Sequence, residues 1–208
     1  MPRTSLYFLY RFYTKALIYL SKKWNAFKFR VIGVKIGANA NICGFVSVTM
    51  GKNSQIYIGK FFHLSSGLNI NPLSRNIRGC LSAHKGALIK IGDNVGISSA
   101  SIWASQSIII GDNVKIGADT IIIDSDSHSL DFLDRRQANL DIQNKTDKPI
   151  IIEDDVLIGT RCIILKGVTI GARSIIGAGS VVSKDIPSDS LAVGNPCRVI
   201  KRMYKREI

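Results

Sequence analysis

The sequence repeats with a period of six residues. Aliphatic residues recur at this spacing without a slip from 152 to 182: Ile152, Ile158, Ile164, Ile170, Ile176 and Val182. Four shorter runs share the spacing: Ile36–Val48, Ile58–Ile70, Ile91–Trp103 and Ile110–Ile122. An α-helical period of about 3.6 residues drifts off this repeat within two turns, and such short spacing leaves no room for helical crossovers or hairpins. The repeat therefore predicts stacked parallel coils of three hexads, with strands about 4.8 Å apart around an aliphatic interior.

Two segments interrupt the repeat. Residues from about 125 to 149 are polar and charged although the hexad phase is kept across them, so we expect a loop that protrudes from the coil. A smaller excursion is expected within 71–90. Because long loops on rigid scaffolds often carry functional residues, we expect the 125–149 loop to contribute to a functional site.

The two ends of the chain differ from the coil. Residues 4–29 predict an amphipathic helix, because apolar residues recur there at three- or four-residue steps: Leu6, Leu9, Tyr13, Leu17, Leu20 and Trp24. A second short helix is predicted after Pro196. The chain is thus divided into an N-terminal basic helical segment (1–34), a β-helix domain (35–194) and a C-terminal basic tail (195–208).

The net charge of +13 is concentrated at the two ends. Residues 1–35 contain eight Lys or Arg and no Asp or Glu, residues 198–208 carry +4, and the segment between carries only +1. A nucleic-acid-binding protein usually places its basic residues, with interleaved aromatics, on the folded face that contacts the nucleic acid. This charge distribution argues against a nucleic-acid partner.

The N-terminal helix has two interpretations. Its aromatic content and uniformly positive charge suit the surface of an anionic membrane, and they suit equally well packing against the first coil or another subunit. No apolar run approaches the ~20 residues that span a bilayer, and no signal peptide is recognised. We expect a cytoplasmic protein, with residues 1–30 as a candidate peripheral membrane contact.

The cysteines and histidines do not form a metal-binding pattern. Cys43, Cys80, Cys162 and Cys197 are widely spaced, and the sequence has neither a C-x-x-C motif nor a matching pair of histidines. We expect free thiols in a reducing cytosol and no metal site.

Five stretches together resemble one enzyme family. They are the Asp-x-x-His-x-Leu-Asp motif that contains His128, the re-entry 148–150, the segments 153–159 and 176–187, and the Gly-Asn-Pro-Cys-Arg motif at 194–198. From about 91 to 200 the chain resembles the galactoside and maltose O-acetyltransferase group of hexapeptide-repeat enzymes. The resemblance implies a left-handed parallel β-helix, acetyl-CoA as co-substrate and assembly as a homotrimer.

The resemblance also implies roles for individual residues. A lone histidine in a loop is more often a solvated surface residue, but the family's general base matches His128, and imidazole can accept a hydroxyl proton at neutral pH. The backbone N–H of Thr160 matches the donor to the thioester oxyanion. Further matches to the coenzyme A site are Gly159, Ala178 and Ser183 along the pantetheine arm and Lys184, Arg198 and Lys201 near the phosphates.

The acceptor side departs from the galactoside enzymes. Asp124 and Asp126 are candidates to orient the acceptor or His128, and the alternative is that solvent and local turns satisfy both carboxylates. Polar Asn and Asp positions on the acceptor side of the galactoside enzymes fall roughly on Ser99 and on Ala104 or Ser105, which makes Ser99 and Ser105 candidate acceptor-binding residues. Because these residue types differ, a simple galactoside is not the expected acceptor.

These observations predict an O-acetyltransferase that acts on a sugar of a surface polysaccharide, of the capsular or O-antigen type, or on its lipid-linked precursor. Two alternatives remain open. One is N-acetylation of an amino sugar nucleotide, and the other is a non-catalytic β-helix scaffold.

Overall fold

The computed structural model describes residues 3–67, 70–74 and 77–203. Helix α1 (Arg3–Ile32) opens the chain, and the described residues then wind through six coils of three short strands. The first three coils contain β1 (Lys35–Ile36), β2 (Asn41–Cys43), β3 (Ser47–Met50), β4 (Gln55–Ile58), β5 (His63–Ser65), β6 (Cys80–Ala83), β7 (Leu88–Ile91), β8 (Gly96–Ser98) and β9 (Ser101–Ala104). The next three contain β10 (Ser107–Ile110), β11 (Lys115–Ile116), β12 (Ile121–Ile123), β13 (Ile150–Ile152), β14 (Leu157–Ile158), β15 (Ile163–Ile164), β16 (Thr169–Ile170), β17 (Ile175–Ile176) and β18 (Val181–Val182). Strands β19 (Ser190–Val193) and β20 (Arg198–Arg202) follow the last coil.

Equivalent strands of successive coils form three parallel sheets. The first strand of each coil joins sheet 1, the second joins sheet 2 and the third joins sheet 3. The register keeps each interior residue above its equivalent, so that Ile122 pairs with Ile102 on one side and with Ile164 on the other. All three side chains are fully buried. Burial of such a side chain stabilises the fold by roughly 1.5–3 kcal/mol, and the stacked aliphatic column is therefore the core.

The corners between sheets use residues that tolerate a left-handed backbone. Asn94, Asn113 and Asp155 all have φ between 55° and 60°, and short polar side chains are the non-glycine residues that adopt this conformation most readily. Carboxylates also tie one coil to the next. Asp112 accepts a hydrogen bond from the Asp93 N–H at 2.6 Å, and Asp154 accepts one from the Asp112 N–H at 2.8 Å.

Two corners matter for the site. The second corner, between sheets 2 and 3, contains Ser99 in the third coil and Thr160 in the fifth. The third corner, between sheets 3 and 1, contains Ser105 in the third coil and Asp124 in the fourth. Asp124 comes four positions after Thr120, which lies at the second corner, so the two corners lie about 13 Å apart along an extended strand.

Helix α1 closes the N-terminal end of the β-helix with its C-terminal half. Ser21, Asn25 and Phe29 are buried against the first coil. The Asn25 side chain donates hydrogen bonds to the Ile42 and Gly44 carbonyls at 3.2 and 2.7 Å. Within the described residues, no helix is long and apolar enough to cross a membrane.

Three details of the sequence interpretation are wrong. The hexad phase slips by one residue at Ser98–Ala100, where Ser99 adopts a positive φ of 42°, so Ile102 fills the interior and Trp103 points outward. The smaller excursion lies between β5 and β6, at residues 66–79, and regular coil resumes at Cys80.

The third wrong detail is the short C-terminal helix. Residues 198–202 form strand β20, which pairs antiparallel with β19. The free edge of β19 offers unpaired backbone groups, and pairing satisfies them. Residues 204–208 of the predicted helix lie outside the described part of the chain.

Candidate active site

The loop between β12 and β13 carries His128. It contains a short helix, α2 (Ala138–Asn144), preceded by a 3₁₀ turn at Asp134–Arg136. Asp141 on α2 reaches back to the start of the loop, where its Oδ2 lies 2.7 Å from His128 Nδ1. Its Oδ1 accepts the Ser129 N–H at 2.8 Å. One carboxylate therefore holds both the imidazole and the backbone beside it.

The His128–Asp141 pair defines the protonation pattern of the imidazole. A carboxylate only accepts hydrogen bonds when ionised, so Nδ1 carries the hydrogen and Nε2 of the neutral ring is left as a proton acceptor. The hydrogen bond from His128, followed by that from Ser129, lowers the pKa of Asp141 below its usual value. Since the His128 side chain is 68% exposed, Nε2 is accessible to a substrate. This is the arrangement that a general base requires.

Further hydrogen bonds fix the loop around the pair. Ser129 is buried, and its hydroxyl donates to Asp134 Oδ2 at 2.8 Å. Asn144 donates to the same oxygen at 2.8 Å, and Arg135 donates to the Ser129 carbonyl at 2.7 Å. The loop is therefore an ordered support for His128.

Asp124 is placed inside the third corner. Its carboxylate is fully buried and accepts the N–H groups of Ser105 at 2.6 Å and Gln106 at 2.8 Å. Burial raises the pKa of Asp124, and the two hydrogen bonds oppose that rise. Both oxygens are used to join the third and fourth coils at the point where the loop that carries His128 departs.

Asp126 is half-buried at the start of the loop. Its Oδ2 lies 3.3 Å from Lys166 Nζ, and its N–H donates to the Thr146 carbonyl at 3.0 Å. These contacts join the two ends of the loop to the fifth coil.

Of the two predicted acceptor serines, one is buried and the other is accessible. Ser99 is fully buried, donates to the Ser65 carbonyl at 3.2 Å and accepts the Gly67 N–H at 3.0 Å. Ser105 is half-buried at the third corner. Beside it on the outer face of sheet 3, Trp103 makes an edge contact with His84, with the ring centroids 4.7 Å apart.

Three of the predicted coenzyme A residues meet at the second corner. Gly159 and Thr160 are half-buried in the fifth coil, and Ala178 lies exposed directly below them in the sixth. The Thr160 carbonyl accepts the Gly179 N–H at 2.8 Å, whereas the Thr160 N–H has no acceptor among the described residues. An unpaired backbone donor of this kind suits a developing oxyanion.

Close stacking on the Thr160 N–H requires a glycine at position 117. A Cβ on Gly117, in the fourth coil, would lie 2.5 Å from Thr160 N and 2.6 Å from Gly159 C. Such distances are far below van der Waals contact. Gly117 therefore allows the close stacking that sets the position of the Thr160 N–H.

The residues predicted to contact the coenzyme A phosphates lie on two different elements. Lys184 is exposed beyond β18 at the third corner, next to Ser183, whereas Arg198 and Lys201 lie on β20 in sheet 2. Between Ala178 and Ser183 the outer face of sheet 3 presents the half-buried Ile163, Leu165 and Val181. This face combines an apolar surface with basic groups on either side.

The loop that carries His128 and the backbone of Thr160 belong to different corners of the β-helix. The loop departs from the third corner at Asp124, whereas Thr160 occupies the second, about 13 Å away along β12. The loop's apolar side chains are also uncovered: Leu130, Phe132, Leu133 and Ile142 are between 53% and 78% exposed. Exposed apolar patches on a protruding element are typical of a protein contact.

Asp141 is the residue that sequence reasoning missed. It lies 13 residues from its partner, and only the fold of the loop brings the two together. The acidic residues of the loop were a signal, but nothing in the sequence distinguishes Asp141 from Asp131, Asp134 or Asp147. No group of three or more metal-ligating side chains occurs among the residues that the structure describes.

The sequence and structure are similar to those of known proteins. Residues 88–123 and 149–184 match the family model described as the hexapeptide repeat of succinyl-transferase. A hexapeptide-repeat acetyltransferase from Vibrio cholerae, solved with acetyl coenzyme A, is 35% identical, with 76% of this chain and 72% of that chain covered and a TM-score of 0.50. A galactoside acetyltransferase solved with coenzyme A is 26% identical, with coverage of 93% and 80% and a TM-score of 0.55.

Among curated proteins, galactoside O-acetyltransferase of Escherichia coli K12 is 37% identical over 123 residues, which are 59% of this chain and 58% of that protein. The chain spans about half the length of the curated relatives it matches, 44% and 58% in two of them.

Proposed function

This chain belongs to the hexapeptide-repeat acetyltransferase family, and we propose that it transfers an acetyl group from acetyl-CoA to a sugar hydroxyl of a surface polysaccharide or its precursor. The observation that carries the proposal is the His128–Asp141 pair, with Nε2 accessible in a protruding loop. The relatives named as acetyltransferases and solved with acetyl-CoA or coenzyme A support the donor.

The reaction is direct transfer in a ternary complex. His128 Nε2 accepts the proton of the sugar hydroxyl while the hydroxyl oxygen attacks the carbonyl carbon of the thioester. The C–S bond then breaks, and the proton passes from the imidazolium to the departing coenzyme A sulfur. Asp141 is a positioning residue, because it holds the tautomer and stabilises the imidazolium. No acyl-enzyme is formed, in keeping with buried cysteines such as Cys162, whose thiol pKa is raised by burial.

The Thr160 N–H is proposed to stabilise the oxyanion. Gly159, Ala178 and Ser183 would border the pantetheine arm along the apolar outer face of sheet 3, and Lys184, Arg198 and Lys201 would contact the phosphates. The residues present fit this ligand, since the face offers an unpaired backbone donor, aliphatic side chains and exposed basic groups.

We propose that the site is shared between chains of a homotrimer. His128 and Thr160 lie at different corners of one chain, so the loop of one subunit would meet the second corner of its neighbour. The exposed apolar side chains of the loop would be covered by this contact.

Mixed assemblies test the shared site. His128→Ala and Gly117→Ala subunits, each weakly active alone, should regain activity when unfolded and refolded together, because some interfaces then combine two intact halves. Activity no higher than the average of the separate samples would show that each chain holds a complete site.

The acceptor is proposed to lie beside the third corner. Ser105 and the outward Trp103 are accessible there, and an aromatic ring is a suitable surface for the apolar face of a sugar. Asp126 would orient the acceptor or the loop. Ser99 and Asp124 would act through the backbone they hold, because both side chains are buried and already hydrogen-bonded.

A cytoplasmic location is part of the proposal. The four cysteines are free, as is usual in a reducing compartment.

The test uses labelled acetyl-CoA and polysaccharide from cells that lack the gene. Transfer of label to the glycan, with release by mild alkali, is the expected result because an ester is alkali-labile. Alkali-stable label would indicate an amide and favour N-acetylation of an amino sugar. No transfer and no thermal stabilisation by acetyl-CoA would favour the scaffold.

A further inference from the structure

Helix α1 has two halves with different surroundings. In the C-terminal half, Ser21, Asn25 and Phe29 are buried on the first coil, and the Ser21 hydroxyl accepts the Gly44 N–H at 2.9 Å. In the N-terminal half, from Leu6 to Leu20, every side chain is exposed or half-exposed. The C-terminal half thus already covers the first coil. Packing on that coil does not explain the exposed aromatic side chains of the N-terminal half.

An apolar stripe runs along the side of α1 that faces away from the coil. Its members lie three, four or seven residues apart and are between 51% and 76% exposed: Leu6, Leu9, Tyr13, Leu20, Trp24 and Phe27. The stripe extends for about 32 Å at 1.5 Å per residue. It is rich in Tyr, Trp and Phe, the side chains that favour the boundary between lipid headgroups and acyl chains.

Basic side chains form a second face of α1, opposite the stripe. Arg11, Lys15 and Lys22 are exposed on that opposite face, which is the arrangement of apolar and basic faces that interfacial helices show, and Lys23 and Arg30 are exposed near the coil. The Lys28 side chain is turned inward instead and donates to the Val46 carbonyl. Residues 1–35 contain no acidic side chain, so nothing within the helix offsets this charge.

The positive charge of α1 favours an anionic lipid surface over a second copy of the chain as the partner of the stripe. A second copy would bring an identical basic segment against the first, and the body of the chain, at a net +1, carries no net negative charge to compensate it. An anionic lipid surface supplies negative charge along the whole helix, at roughly 1 kcal/mol per basic residue close to the surface.

We infer that the N-terminal half of α1 lies in the plane of an anionic membrane, with the apolar stripe among the lipids and the basic face at the headgroups. The C-terminal half fixes the β-helix to this anchor through Ser21, Asn25 and Phe29. This inference is independent of the acyl-transfer proposal, although it would hold the enzyme where lipid-linked glycans are made.

The test is co-sedimentation of the full-length protein with vesicles of phosphatidylcholine, with or without phosphatidylglycerol. We compare Leu9→Gln/Tyr13→Gln, on the stripe, with Tyr7→Gln/Phe8→Gln outside it. The pairs are matched, because their side chains are 70% and 57% exposed in the first and 56% and 67% in the second. Lys15→Gln/Lys22→Gln tests the charge.

Wild type should bind only the anionic vesicles. The stripe variant should bind at least about tenfold more weakly, because two buried apolar contacts are lost, and the control pair should bind much more strongly than the stripe variant. The lysine variant should also bind weakly. Light scattering should give the same assembly mass for all proteins. Equal binding by the two matched pairs, binding to pure phosphatidylcholine, or a lower assembly mass for the stripe variant would overturn the inference.

Discussion

Replacement of Gly117 by alanine tests whether the Thr160 N–H has a catalytic role. The new Cβ would lie 2.5 Å from Thr160 N, whereas ordinary contact begins at 3.4 Å. The corner must therefore shift by about 0.9 Å, and no flexible side chain is available to absorb the shift. Misplacement of a catalytic group by about 1 Å can cost about 10²-fold in rate, and loss of one oxyanion donor costs about 10²–10³-fold.

We accordingly expect kcat of Gly117→Ala to fall by about 10²-fold. The structural cost of such overpacking is about 1–3 kcal/mol, so stability has to be measured on the same sample. Gly37→Ala is a suitable control, because its Cβ would lie 2.7 Å from the backbone of Gly59 and Lys60, far from the site. For both variants, kcat is measured from acetyl transfer at saturating acetyl-CoA, and the free energy of unfolding is measured by chemical denaturation of the same sample.

The two variants should lose similar stability, and only Gly117→Ala should lose kcat. If both retain kcat, or if both lose it in proportion to their stability, the placement of the oxyanion donor at Thr160 is refuted.

Three further predictions follow from individual contacts. Asp141→Asn should lower kcat by about 10- to 100-fold through loss of the imidazole's orientation while leaving acetyl-CoA affinity unchanged, as measured by calorimetry. Phe29→Ala should destabilise the protein by about 3–5 kcal/mol, whereas Phe27→Ala, at 59% exposure, should change stability by less than about 0.5 kcal/mol in urea unfolding. Because the pKa of Asp141 is lowered in the folded loop, its contribution is complete above the unfolded value of about 3.9 and is lost as the pH falls through the folded value. The protection factor of the Ser129 N–H against hydrogen exchange should therefore fall in strong acid in the wild type, and the Asp141→Asn variant should not show this loss of protection.

The six-residue period was sufficient to predict the fold because interior contacts repeat in every coil. Ile122 and Ile164 follow the period into the core without a slip. The phase was misassigned at Trp103 because the corner at Ser99 is one residue shorter, and the sequence alone gives no measure of a corner's length. The C-terminal helix was wrong because the pairing of β20 depends on the free edge of β19.

The candidate site was predictable only in part. His128 and Thr160 are candidates because they lie in motifs, which preserve local sequence, and their roles stay predictions. Asp141 depends on a contact within an irregular loop, where no periodicity constrains the partner. The burial of Asp124 and Ser99 likewise follows from how the coils stack. The type of a polar residue does not indicate whether its side chain faces solvent or forms hydrogen bonds with the backbone of a neighbouring coil.

The most direct test of the account is acetyl transfer by His128→Ala, measured on the assembled protein together with acetyl-CoA affinity. The exposed position of His128 leaves the fold and the proposed donor site intact, so affinity should be unchanged while transfer to the glycan falls by about 10²–10⁴-fold. Transfer at the wild-type rate by this variant would contradict the assignment of His128 as the general base.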